Sequence, residues 1–326
     1  MSRAIKRLIA AAAVFAVALL GAFVWLMAEF NNPGPSTEPV TVVLPQGSGL
    51  SAISRRLVEA GVIERDWVFV NGVRVKGAAR GLQAGEYELP ARASPRQIMD
   101  ILVSGRTVVR RITIPEGLTT TQVVALVQAA DGLAGEIATR PPEGRLLPET
   151  YHFHLDDDRG ALVQRMQDKM DKALAAHWES RQPNLPLKNP DEALILASIV
   201  EKETSLEEER PRIAAVFLNR LRKGMRLQSD PTVSYGITGG SGPMDRPLTR
   251  KDLRTPTAFN TYRIRGLPPH PIANPGISSI IAVLNPIETD ELFFVADGSG
   301  GHAFAKTLQE HNRNVRKWRR LQAERD

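Results

Sequence analysis

The hydrophobic pattern changes character along the chain. Leu8 to Ala28 is one apolar run without a charge, LIAAAAVFAVALLGAFVWLMA. As a helix at about 1.5 Å per residue it spans roughly 30 Å, the thickness of a bilayer's hydrocarbon core. Arg3, Lys6 and Arg7 precede it and Glu29 follows it. Positive charge stays cytoplasmic, so the N-terminus is expected inside and the rest outside. The run is long for a cleaved signal peptide, and no small-x-small site follows it. The expectation is an uncleaved single-pass anchor over residues 1–30, with Trp25 at the outer interface. Residues 31–39 carry Pro33, Pro35 and Pro39 and read as a linker.

From Val40 the pattern shortens into strand, turn and helix. Val40 to Leu44 is β-branched and predicts a strand, and Leu50, Ile53, Leu57 and Val58 then recur at helical spacing. Ala84 to Leu89 predicts a second strand. Ser94 and Pro95 cap a helix through Ile98, Ile101 and Leu102. Ile112 to Ile114, the turn Pro115-Glu116-Gly117, and Val123, Val124 and Leu126 repeat the pattern. A module over 40–108 and a larger domain over 109–326 are expected. Plain scaffold and carbohydrate binding both remain open for the first module.

Asn189 to Thr204, NPDEALILASIVEKET, has another character. Asn189 suits an N-cap, Pro190 the first helical position, and Asp191 and Glu192 the positive helix end. Ala193 to Val200 has one polar side chain, Ser198, which predicts a buried helix. Leu194, Ser198 and Glu201 share a face. A carboxylate emerging there among apolar neighbours would have a raised pKa, as a general acid for a glycosidic oxygen needs. The alternative is a surface residue in the last turn. Glu203, about 200° further round the helix, is expected to face solvent or a salt bridge.

Composition narrows the chemistry. No cysteine occurs among the 326 residues, which excludes disulfides, thiolate metal sites and a cysteine nucleophile. Lys and Arg number 42 against 36 Asp and Glu, a net charge of +6 that suits an anionic partner. An anchored, outward-facing chain is removed from chromosomal DNA, so nucleic acid is not expected. His152, His154 and Asp156 to Asp158 resemble metal ligands but read better as a solvated loop. Gly298 to Gly301 lacks the Lys of a phosphate loop and reads as a turn. Arg313 to Arg325 is a basic amphipathic helix, solvated or touching an anionic surface.

The remaining segments occur in a telling order: LLPETYHF (Leu146 to Phe153), ASIVEKET (Ala197 to Thr204), VFLNRL (Val216 to Leu221), LQSDPTVSYG (Leu227 to Gly236), FNTY (Phe259 to Tyr262), GLPPHPIANPG (Gly266 to Gly276) and FFVADGSGGHAFAKTLQEHN (Phe293 to Asn312). Together they resemble the endolytic murein transglycosylase, or YceG-like, family from about Val40 to Arg316. The resemblance implies an α+β fold: an N-terminal transmembrane helix, a small LysM-like α/β module, and a mixed α+β catalytic domain with a buried central helix. It implies an inner-membrane protein with its catalytic part in the periplasm. Such a protein cleaves the MurNAc–GlcNAc bond of peptidoglycan glycan strands, leaves 1,6-anhydro-MurNAc ends, and ends nascent strands near peptidoglycan synthases, its candidate partners. Glu201 is the catalytic acid on this resemblance. Gln228 and Asp230 are expected to hydrogen-bond substrate, Asn260 and Tyr262 to position sugar, and Ser198 and Glu149 to complete the substrate site. No metal or other cofactor is expected, since one carboxyl can serve as acid and then base. A hydrolytic muramidase and a non-catalytic wall-binding or synthase-scaffold protein stay open as alternatives.

Overall fold

The apolar N-terminal run folds as a single helix, α1 (Arg3–Asn31), in a computed structural model that describes residues 2–324. It is long and apolar enough to cross a membrane, and its most apolar stretch is not buried against protein. The chain divides into two units, between Arg110 and Arg111.

The first unit follows α1 with β1 (Val40–Leu44), α2 (Leu50–Glu59), α3 (Asp66–Val75), β2 (Gly85–Leu89) and α4 (Pro95–Ser104). β1 and β2 pair antiparallel, Val40 opposite Leu89 and Leu44 opposite Gly85. Strand alternation turns Val42 and Leu44 inward. Ser94 accepts from the Gln97 amide while the Gln97 side chain accepts from the Ser94 amide, a reciprocal cap that starts α4. Leu57, Phe69, Tyr87, Ile98 and Leu102 form the core, and Phe30 from the end of α1 is buried with them. The Phe30 ring lies against Gly72, where an added Cβ would come within 2.2 Å of it. Only glycine permits that approach. Residues 31–39, read as a linker, are tied to the first unit by backbone hydrogen bonds. The Gly34 amide donates to the Arg92 carbonyl and the Arg92 amide to the Ser36 carbonyl, which straps this segment onto the unit.

From β3 (Arg110–Thr113) onward the order is α5 (Thr120–Ala129), β4 (Leu133–Ala134), β5 (Thr150–Phe153), β6 (Asp157–Asp158), α6 (Arg159–Glu179), α7 (Pro190–Glu203), α8 (Arg210–Arg222), α9 (Asp230–Thr238), α10 (Arg250–Arg254), α11 (Ile277–Leu284), β7 (Phe293–Ala296), β8 (His302–Ala305) and α12 (Leu308–Ala323). The strands are short and form separate pairs: β3 with β5, β4 with β6, and β7 with β8. The fold is mixed α+β. Ile114, Val123, Tyr151, Phe153, Leu162 and Met166 build one core, under α5 and α6. The other surrounds α7, whose neighbours are α6, α8, α9 and α11. Asn189 caps α7 by accepting from the Glu192 amide, and Ala193 to Val200 are all buried. Leu196, Ile199, Phe217, Leu218, Ile280 and Val283 share this core.

The histidine- and aspartate-rich loop has other work. Asp157 accepts from the His154 amide and Asp158 caps α6 at Ala161. Among the described residues no three His, Cys, Asp or Glu side chains gather as metal ligands. Asp297, Ser299 and Gly301 close the turn between β7 and β8. α12 starts at a Thr307–Glu310 capping box and buries no residue fully.

Candidate active site

α7 ends at Glu203, and a cleft of about 410 Å³ opens there, lined by Glu203, Arg220, Gln228, Asp230, Tyr262 and His302. The Ser229 hydroxyl donates to Glu203 Oε1 at 2.5 Å. Burial pushes the Glu203 carboxyl up from 4.5 to about 7; the Ser229 bond and the Arg220 cation oppose this, and the Asp230 charge reinforces it. Glu203 keeps partial exposure to the cleft. It is therefore a carboxyl that carries a proton near neutrality and has an open side.

Its neighbours are held by the loop before α9. Gln228 has φ of 55°, a left-handed conformation that non-glycine residues rarely adopt. Its amide donates to the Thr261 carbonyl at 3.2 Å. Arg220, on the inward side of α8, donates to Gln228 Oε1 at 3.3 Å, the Leu227 carbonyl at 2.7 Å and the Leu292 carbonyl at 2.6 Å. One guanidinium thus ties the cleft loop to the segment entering β7. Asp230 opens α9, and Tyr262 donates its phenol hydrogen to Asp230 Oδ1 at 2.6 Å. Burial first, then the hydrogen bond to Asp230 and its charge, push the Tyr262 phenol up, so it stays a donor. Asp230 also lines a second cavity of about 430 Å³ with Lys202, Ser234 and Tyr235. Asp230 is thus common to the lining of both cavities.

The structure divides the sequence-predicted residues. Gln228, Asp230 and Tyr262 line the cleft with Glu203. Glu201 does not join them. Its Oε1 accepts from Arg210 at 3.1 Å, and its Oε2 accepts from the Gly276 amide at 3.0 Å and the Ser279 hydroxyl at 2.8 Å. Its side chain is 5% exposed and pinned at the N-terminus of α11. Ser198 shares that face, as its spacing predicted, but it is sealed in the core. It donates to the Ile195 carbonyl and accepts from the Ile272 amide. Asn260 is fully buried too: its amide donates to the Asp252 and Thr255 carbonyls, and its oxygen accepts from the Tyr262 amide. It positions the Tyr262 backbone and does not line the cleft. Glu149 is exposed and paired with Lys169, away from the cleft lining.

Glu203 is the residue that sequence reasoning misplaced, and Arg220, His302 and His311 are those it missed. Arg220 left a legible signal. It recurs with Ile213 and Phe217 at spacings of four and three, on the buried face of α8. A buried guanidinium must have partners, and its partners define the cleft. His302 donates through its ring Nδ1–H to Glu209 Oε2 at 2.7 Å. His311 stacks on Phe293, and burial lowers its pKa.

Known proteins resemble this chain over most of its length. The endolytic murein transglycosylase of Bacillus subtilis (strain 168) is 32% identical over 314 residues, covering 87% of this chain and 86% of that protein. The endolytic murein transglycosylase of Streptococcus pneumoniae serotype 2 (strain D39) is 29% identical over 326 residues, covering 86% of this chain and 58% of that longer protein. The crystal structure of a YceG-like protein from Listeria monocytogenes superposes with a TM-score of 0.53 at 32% identity, covering 85% of this chain and 99% of that one. The sequence model of the YceG-like family matches residues 42–317. With the match running from β1 into α12, the chain belongs to the YceG-like family.

Proposed function

We propose that this protein is a membrane-anchored lytic transglycosylase acting on the MurNAc–GlcNAc bond of peptidoglycan glycan strands, with Glu203 as its acid and then its base. The observation that carries this reading is the Glu203 carboxyl, its pKa raised to about 7, open to a cleft shared with Gln228, Asp230 and Tyr262. The names of the Bacillus and Streptococcus relatives support the substrate.

The chemistry follows from one carboxyl. Protonated Glu203 gives its proton to the glycosidic oxygen as the bond from MurNAc C1 to that oxygen breaks. GlcNAc leaves with a free C4 hydroxyl. Positive charge develops at MurNAc C1, beside the Glu203 carboxylate just formed. The C6 hydroxyl of the same MurNAc attacks C1 and returns its proton to Glu203. A 1,6-anhydro end results, the acid is regenerated and no water is consumed. Gln228, Asp230 and Tyr262 orient sugar hydroxyls and amides. A hydrolase would need a second carboxylate to activate water. The nearby candidate, Asp230, already accepts from Tyr262, which favours the lyase. Glu201 has no such role here, because donors occupy both its oxygens. In this reading α1 crosses the inner membrane, the first unit is LysM-like, and the cuts end nascent strands near the synthases.

Digestion of purified sacculi by the full chain in detergent, with products read by mass spectrometry, tests the proposal. Fragments lighter by one water than hydrolysis products, lost in Glu203→Gln and retained in Glu201→Gln, are expected. Hydrated ends would make the enzyme a muramidase. Full activity in Glu203→Gln would remove Glu203 from the mechanism.

A further inference from the structure

The join between α1 and the first unit leaves no spacer. α1 is exposed as far as Trp25, after which Leu26, Met27 and Phe30 pack into the unit. Only Leu8 to Trp25 is left to meet lipid. At about 1.5 Å per residue that is roughly 27 Å, so a hydrocarbon core of about 30 Å takes up the whole segment. The folded unit then begins where the acyl chains end.

What the unit carries at that level is specific. The Trp25 ring stacks on Trp67, centroids 5.4 Å apart and planes 18° from parallel. Trp67 belongs to the first turn of α3, not to the anchor, and is 43% exposed. The Arg65 guanidinium lies 5.7 Å from the centre of the Trp25 ring and 3.0 Å from Glu29. Glu29 is about one helical turn, roughly 6 Å, beyond Trp25. Phe30 against Gly72, and the strap from Gly34 and Ser36 to Arg92, remove freedom from the joint.

We propose that the first unit docks on the outer surface of the bilayer that α1 crosses, with Trp67 at the boundary of acyl chains and headgroups and Arg65 among the lipid phosphates. Tryptophan partitions to that boundary, and arginine reaches phosphate from it. This rests on reading α1 as a transmembrane anchor. The unit is then a collar held flat on the membrane, not a domain swinging on a tether.

Two single-tryptophan variants of the full chain test it, one keeping Trp25 and one keeping Trp67, with the other tryptophans replaced by Phe. Each is reconstituted into phosphatidylethanolamine–phosphatidylglycerol vesicles whose acyl chains are brominated near the headgroup. Both emissions are expected to be quenched to a similar extent. Quenching of Trp25 with none of Trp67 overturns the docking and leaves the anchor standing. Quenching of neither overturns the anchor and the docking with it. Because the stack is altered in these variants, a second measurement keeps all tryptophans. A nitroxide on Glu64→Cys, beside Arg65 in a chain otherwise free of cysteine, is expected to collide with a water-soluble nickel complex less often than a label in bulk water does. Collision rates equal to those of a water-exposed label overturn the docking.

Discussion

Replacing Glu203 by Gln is expected to abolish catalysis and to stabilise the second unit at alkaline pH. The folded structure raises this carboxyl from 4.5 to about 7. At about 1.4 kcal/mol per pKa unit, ionising it inside the fold costs roughly 3 kcal/mol. The sign follows from proton binding. Between the unfolded value of 4.5 and the folded value of about 7, the folded protein holds a proton that the unfolded chain has released. Stability therefore falls as pH rises through that window and stays low above it. Gln cannot ionise, fills the same volume and still accepts from Ser229. The gain in Glu203→Gln is expected near zero at about pH 4 and about 3 kcal/mol at about pH 8. For a unit of this size that is roughly 6–12 °C in Tm. Calorimetric melts of both proteins at the two pH values measure it. Coincident melts at about pH 8 would refute the desolvated-acid account, since a carboxyl that costs nothing to ionise is not held protonated. Wild-type kcat/KM is expected to fall above about pH 7, where Glu203 loses the proton it must donate.

Three further outcomes follow from the contacts. Glu201→Gln breaks a buried ion pair and is expected to cost about 3 kcal/mol, at the low end for such pairs because Arg210 keeps Glu116; urea melts check it, and an unchanged midpoint would contradict the structural role. Tyr262→Phe removes the donor to Asp230 and is expected to lower kcat/KM about 10-fold or more, the worth of one charge-assisted hydrogen bond; wild-type kinetics on isolated glycan strands would show that Tyr262 is a bystander. Phe30→Ala empties a fully buried site and is expected to destabilise the first unit by about 3–5 kcal/mol. The same loss is expected when residues 1–39 are removed, and a first unit that melts unchanged without them would disprove the packing of α1 into its core.

Much of the local structure was legible because its causes are local. The Ser94 cap, the Asn189 cap and the strand at Val40 each depend on residues within one turn or one pleat. The lining of the cleft was legible by segment but not by residue. LQSDPTVSYG and FNTY delivered Gln228, Asp230 and Tyr262, yet the same reasoning admitted Asn260 and Ser198, whose polar atoms serve the backbone. A polar side chain in a turn-rich motif looks the same whether it clamps a loop or waits for a ligand. Only the partners tell them apart. The strap on segment 31–39 was not legible for a related reason: proline removes donors from a loop but does not prevent neighbouring amides from tying it down.

The sequence by itself determined the apolar α1, the caps of α4 and α7, and the placing of Ser198 with Glu201 on one face of α7, since helical periodicity fixes that angle. It could not determine which way that face points. Ala193 to Val200 is buried all round, so α7 has no hydrophobic side to orient it, and Glu201 and Glu203 are equivalent candidates until the rest of the chain arrives. The choice was made by residues distant in sequence. Arg210, Gly276 and Ser279 take the oxygens of Glu201. Arg220, Gln228, Ser229 and Tyr262 gather around Glu203 and leave it one open side. A carboxyl becomes an acid through what surrounds it, and those surroundings exist only once the helices have packed.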